Sequence, residues 1–200
     1  MKKLNAQFMG LFMMLGLIMS SGCANVSTLQ TARTLAPDES EITIGAGYAT
    51  LSATSTGTDI SFSAPYFEGY YKAGLAENLD FGVKLTLIGT LSADVKYQLV
   101  DVDAFALAVG AGLGYVTINS ASIIDILLPI YVSYDFSDMF ALYGSPKYLL
   151  RTGGGSSSLL GSSLGVKWGK TSGVYLEGSY MSVLGESASA SQGNIGVFFR

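Results

Sequence analysis

LDFGVKLTLIG, residues 79–89, sets a lysine near the middle of a run that has no helical period. Phe81, Val83, Leu85 and Leu87 fall on one face; Asp80, Gly82, Lys84 and Thr86 fall on the other. Period-two alternation marks a strand with two unlike faces. A charge within such a strand needs water or a partner, because burying it alone is costly. The side on which Lys84 lies therefore decides what kind of sheet this is.

The same alternation continues along the chain. In 92–99, Ala93, Val95, Tyr97 and Leu99 oppose Ser92, Asp94, Lys96 and Gln98. In 104–115, Phe105, Leu107, Val109, Leu113 and Tyr115 oppose Ala104, Ala106, Ala108, Gly110, Gly112 and Gly114. At the end, Ile195, Val197 and Phe199 alternate with Asn194, Gly196 and Phe198. No stretch beyond Glu41 carries a helical period. The pattern predicts strands over 41–51, 60–75, 79–87, 91–100, 104–116, 123–136, 140–151, 158–170, 174–184 and 193–199.

Their connections fall into two alternating classes. AEN (76–78), DVD (101–103), SDM (137–139) and TSG (171–173) are tight. TSTG (54–57), the stretch around 117–122, TGGGSSS (152–158) and ESASASQ (186–192) are longer and rich in Ser and Gly, and only IGT (88–90) breaks the order. Tight turns at one end and longer loops at the other are the pattern of an outer-membrane barrel. The expected fold is all-β, an antiparallel up-and-down transmembrane β-barrel of about ten strands, with eight the nearest alternative. An even count leaves both termini on the short-turn, periplasmic side.

The faces can be assigned from charge. Glu68, Lys72, Lys84, Asp94, Lys96, Asp125, Lys147, Arg151, Lys167 and Glu177 all lie on the small or polar face of their strands. These are too few for the whole wet surface of ten strands, but suit a narrow lumen. The opposite face carries aromatics beside the tight turns, Phe81, Phe105, Phe136, Phe140, Trp168 and Phe199. A second group, Tyr48, Phe67, Tyr115, Tyr148 and Tyr180, lies toward the far ends. Two aromatic girdles around an aliphatic band are what the two bilayer interfaces select. Lys84 is thus expected in the lumen, with lipid outside. A soluble periplasmic barrel of lipocalin type, with the faces inverted, is the competing reading.

Register follows from three-residue turns, which keep faces matched across a hairpin. Closing 88–90 sets Lys84 against Asp94, with Tyr70 on its other side through the 76–78 turn. Closing 137–139 sets Asp125 against Arg151, and closing 171–173 sets Lys167 against Glu177. These opposite-charge pairs form an expected lumen network in which buried charges are neutralised.

Composition agrees with this reading. The chain of 200 residues is 49% apolar and only 13% charged, with 25 glycines, and it contains no histidine. No basic run is present, which argues against nucleic acid as a partner. At the N-terminus, Lys2 and Lys3 precede the apolar core FMGLFMMLGLIM (8–19), too short to span a bilayer but suited to a secretory signal. It ends in SSGC, whose Cys23 is the chain's one cysteine. Loss of the signal leaves nine basic against 15 acidic residues, a net charge of −6. Residues 24–40, ANVSTLQTARTLAPDES, are polar with a Pro-Asp break and read as a tether.

SSGC resembles a bacterial lipoprotein signal, in which the cysteine is lipid-modified and becomes N-terminal after cleavage. Ser20 departs from the Leu, Val or Ile usual there, and cleavage after Gly22-Cys23-Ala24 is the ordinary alternative. The resemblance implies a signal peptide over 1–22, a lipidated N-terminus and tether over 23–40, and a barrel over 41–200. It implies a covalent lipid on Cys23 and no other cofactor. Ala24, where an Asp commonly retains such proteins at the inner membrane, implies export to the outer one. From 41 to 200 the chain resembles the small outer-membrane β-barrel class. Phe199, Val197 and Ile195 stand at the two-residue steps of that class's terminal assembly signal, followed by an extra Arg200. This implies outer-membrane lipid and the barrel-assembly machinery as partners.

Enzymatic chemistry finds little purchase. Barrel proteases and lipid A-modifying barrels lean on histidine as base, and none exists here. No Cys/His set suits a metal. GAGLG (110–114) lies within an alternating strand, without the helix that a phosphate loop needs, and reads as close packing inside the barrel. Tyr66, Tyr70, Tyr131, Tyr143 and Tyr175 point inward and help fill a lumen that is already narrow at ten strands. The expectation is a non-enzymatic, side-chain-filled barrel with a structural or interaction role. The alternative is a narrow channel, leaning to anions because lumen bases outnumber acids.

Overall fold

A computed structural model describes residues 27–55, 58–87, 89–118, 121–153 and 156–200. Ten antiparallel strands close on themselves: β1 (Ser40–Ser55), β2 (Thr58–Ala76), β3 (Leu79–Thr86), β4 (Thr90–Val102), β5 (Phe105–Ile118), β6 (Ala121–Ser137), β7 (Phe140–Thr152), β8 (Ser156–Gly169), β9 (Ser172–Val183) and β10 (Ala188–Phe199). Each pairs with its neighbours in sequence, and β1 pairs with β10 to complete the barrel. We call the end where β1 begins and β10 finishes the base, and the opposite end the top. The signal segment and Cys23 lie outside the described residues.

The tight turns at the base keep faces matched by a device other than three-residue loops. Asn78 and Asp103 take positive φ in two-residue turns at 77–78 and 103–104, and a third such turn occupies 138–139. Each is accompanied by a bulge on the strand before it, at Gly74/Ala76, Gln98/Val100 and Asp135/Ser137. The odd residue is thus carried by the strand instead of the loop. Two other turns close one residue earlier than expected. β3 and β4 pair Leu85 with Leu91, and β8 and β9 pair Gly169 with Gly173. Gly89 and Gly169 supply positive φ at these corners.

At the top, the expected long loops are short. β1 and β2 pair as far as Ser55↔Thr58, and β10 begins at Ala188 instead of 193. Ser- and Gly-rich sequence suggests loop, but cross-strand pairing of small residues continues through it. β3, with eight residues, is much shorter than β2, with 19.

The two faces divide as the charges require. Lys84 is 6% exposed and Lys96 2%, whereas Leu85 is 55% exposed and Leu87 79%. Phe105, Phe136, Trp168 and Phe199 are exposed on the outside near the base, with Phe81 and Phe140 half-buried beside them. Phe136, Phe140 and Trp168 form a row of ring contacts, with centroids 5.6 and 6.3 Å apart. Tyr48, Phe67, Tyr115 and Tyr180 are exposed higher up, with Tyr148 half-buried. The inward tyrosines, Tyr66, Tyr70, Tyr131, Tyr143 and Tyr175, are all buried. GAGLG lies in β5, and a Cβ at Gly110 would come within 3.0 Å of the Tyr131 ring. Glycine there makes room for the ring. Polar inside and apolar outside is the inverse of a water-soluble barrel.

Candidate functional site

The interior is occupied by the chain itself. Residues 24–40 were expected as a tether; instead Ser27–Leu35 run through the lumen. Ser27, Thr28, Leu29, Gln30, Thr31, Ala32 and Leu35 are each at most 6% exposed. Below them Glu39 N–H donates to Ala36 O in a turn at the base, and Gly74 N–H donates to Glu39 O at 3.0 Å. A Cβ on Gly74 would come 2.2 Å from Ala36 O, so only glycine lets the segment pass the wall there. Arg33 sits at the base, bonded to Asp135, Asp101 and Asp103 O. As residue numbers fall from 33 to 27, the chain climbs toward the middle of the barrel.

An extended segment has no ladder of its own, so its backbone groups need partners from the wall. Charged side chains provide most of them. Glu177 accepts Thr28 N–H at 2.7 Å and Leu29 N–H at 2.8 Å, and also the hydroxyls of Tyr143 (3.0 Å) and Ser179 (2.8 Å). Lys96 donates to Thr31 O at 3.0 Å and Arg33 O at 2.8 Å, and pairs with Asp80 at 3.1 Å. Asp80 in turn accepts Leu35 N–H at 2.8 Å, while Gln98 accepts Thr34 N–H at 2.8 Å. Lys147 donates to Thr28 Oγ1 at 2.7 Å and Ser163 Oγ at 2.8 Å. Hydrogen bonds to charged groups are the stronger kind, about 1.5–3 kcal/mol each.

One apolar anchor completes the fit. Leu29, at φ 44°, is fully buried with Tyr143, Tyr175 and Phe198. Its Cδ1 lies where Cβ atoms on Gly45 and Gly196 would come within 3.0 and 3.1 Å, so these two glycines form its socket. Above the segment, Leu149, Leu159, Met181 and Ala190 form a buried apolar cluster. A small cavity of about 40 Å³ remains beside Asp94, Gly112 and Asp125.

The expected lumen residues are redistributed by this occupant. Lys84 does face inward, beside the Tyr70 ring at 4.9 Å. Its opposite residue is Ser92, and Asp94 stands opposite Gly82. The turn that closes one residue early makes the difference. The Lys84 ammonium donates to Ser27 O at 2.8 Å and lies 3.6 Å from Glu68, whose carboxylate binds Ser27 Oγ. Asp94 instead accepts the Tyr70 hydroxyl at 3.0 Å. Arg151 stands opposite Asp125 and donates to both its oxygens, at 2.7 and 2.8 Å. Lys167 stands opposite Tyr175, not Glu177, again because the turn falls one residue early.

Two buried acids lie outside the expected charge network, although Asp80 shares the face of Lys84. Asp80 pairs with Lys96, and Glu41 binds Lys72 and Arg200. Both stand at strand starts on the inward face, so alternation alone could have marked them. They add two acids to the inner wall, each paired with a base. Among the described residues, no three His, Cys, Asp or Glu side chains are grouped to hold a metal.

No protein-family model matches the chain, and no curated protein is similar to it in sequence. Solved structures do match. The outer membrane protease OmpT from Escherichia coli superposes with a TM-score of 0.52 at 13% identity, covering 84% of this chain and 99% of that one. The fold is that of a bacterial outer-membrane β-barrel. The translocator domain of the autotransporter NalP from Neisseria meningitidis gives a TM-score of 0.49 at 12% identity, covering 98% of each chain.

Proposed function

We propose that the protein is a bacterial outer-membrane barrel closed by its own N-terminal segment, with a structural or interaction role and no enzymatic activity. The carrying observation is the burial of Ser27–Leu35 on partners from the barrel wall. The exposed apolar outer surface supports a bilayer location, since water-soluble proteins rarely expose such a surface continuously. The base, with its aromatic row, is read as the periplasmic end. Asp125 and Glu177, the obvious carboxylate candidates for acid–base work, are both committed to structural bonds. Support for an anchor comes from the SSGC sequence, with Cys23 as the acylated residue.

Two measurements test this. Labelled fatty acid should enter the full chain and fail to enter Cys23→Ser; an unmodified N-terminus at Asn25 contradicts lipidation. In a Cys23→Ser background, Ala32→Cys should resist a bulky maleimide in folded protein, while Asp38→Cys reacts. Equal reaction at both positions contradicts the occupied lumen.

A further inference from the structure

At the base, between the N-terminal segment and the wall from the β4–β5 turn to β8, lies an open cavity of about 600 Å³. That is within the range of small-molecule sites. Four basic side chains line it, and their commitments differ. Arg33 is bound to Asp135 and Asp101, and Lys170 pairs with Asp138 at 2.8 Å. Arg200 Nε donates to Glu41 at 2.9 Å. Lys167 has neither a hydrogen bond nor an ion pair among the described residues. Its ammonium rests against the Phe198 ring at 4.6 Å and the Tyr175 ring at 5.9 Å.

The nearest carboxylate does not relieve it. Glu41 is already held by Lys72 and Arg200 and accepts the Tyr175 hydroxyl at 3.1 Å. Lys167 feels the repulsion of Arg200 and Lys72 as well as the attraction of Glu41 and Asp135. Glu41 thus serves Lys72 and Arg200 directly and makes no ion pair with Lys167. The Lys167 ammonium is only partly buried and faces the open cavity, where its three donors are available to water or to an entering acceptor. Arg200 has further guanidinium donors beyond the one given to Glu41.

We infer that this cavity is a binding site for a small organic anion, whose carboxylate or phosphate group bridges Lys167 and Arg200. Asp103, Asp135 and Asp138 also line the cavity, but Asp135 and Asp138 are paired with Arg33 and Lys170. The volume exceeds a bare ion and leaves room for an uncharged body against Met139 and Phe140. A soluble periplasmic anion and the phosphate of a lipid headgroup offer the same chemistry. The site is separate from the bonds that hold Ser27–Leu29 and does not depend on whether Cys23 is acylated.

The test uses the full chain with its lysines carrying ¹³C-dimethyl labels, folded first in an uncharged detergent. Lys167→Gln assigns the Lys167 signal, and exposed Lys170 is the control. At constant ionic strength, inorganic phosphate should move the Lys167 signal saturably and leave Lys170 in place. Arg200→Gln should weaken that response about tenfold or more, and Arg200→Lys, which keeps a partner for Glu41, should weaken it less. In nanodiscs of phosphatidylethanolamine and phosphatidylglycerol without free phosphate, a Lys167 signal already at its bound position identifies the headgroup. A signal that moves only on adding phosphate identifies a soluble ligand. Linear, equal shifts at Lys167 and Lys170 in both media would show ionic screening alone and overturn the site.

Discussion

Lys84 shows what can and cannot be read at a single position. Its inward direction follows from alternation, and Tyr70 beside it follows from the turn between β2 and β3. Its hydrogen-bond acceptor does not, because Ser27 lies 57 residues earlier in a segment without any period. The Asp125–Arg151 pair was legible because both members belong to one hairpin with its extra residue absorbed in a bulge. Breaking a buried pair leaves a lone charge, at a cost of about 3–5 kcal/mol. Denaturant titration of Lys84→Met, Glu68→Leu and the double variant should therefore show strong coupling. The corresponding cycle of Lys84 with Asp94 should show almost none. Gly196 offers a complementary test, since a Cβ there would crowd both Thr43 Cγ2 at 3.0 Å and Leu29 Cδ1 at 3.1 Å. Gly196→Val should displace the segment, so that limited proteolysis cuts within 27–35 while heat-modified electrophoretic mobility still reports a closed barrel. Resistance equal to that of the unaltered protein would remove Leu29 as the anchor.

Strands were the most readable elements, since a two-faced sheet writes its period in every one of them. Turn positions were less so. IGT and TSG each admit closures one residue apart, and a glycine's positive φ selects between them only in three dimensions. Serine-rich tops were misread because small polar residues suit both loops and outward strand edges. The internal segment was invisible for a different reason. Its partners, among them Gln98, Ser133, Glu177 and Asp80, are single side chains scattered over several strands, so its own sequence needs no periodicity. Leu85→Arg tests the outer face of β3, where the side chain is 55% exposed. In a bilayer it should cost about 2–4 kcal/mol, read as a lowered urea midpoint of folding into lipid vesicles. Thr86→Ser, which keeps the hydroxyl that accepts Thr90 N–H at 3.1 Å, should leave the midpoint nearly unchanged. Normal assembly of Leu85→Arg in a detergent-free aqueous solution would contradict the assignment of faces.

For the whole molecule, the wall charges and the internal segment act as one system. Lys84, Lys96 and Lys147 each donate to the segment, and Glu68, Asp80 and Glu177 each accept from it. Taking the segment away would leave these charges facing water instead of main chain, and would widen the lumen at its polar half. The most direct test is single-protein conductance in planar lipid bilayers, comparing the full chain with a variant lacking residues 27–35 and with Gly196→Val. The full chain should be electrically silent. The deletion should open steady conductance with little preference between anions and cations, and Gly196→Val should open it intermittently. Steady conductance from the full chain, unchanged by either alteration, would contradict a lumen closed by its own N-terminal segment.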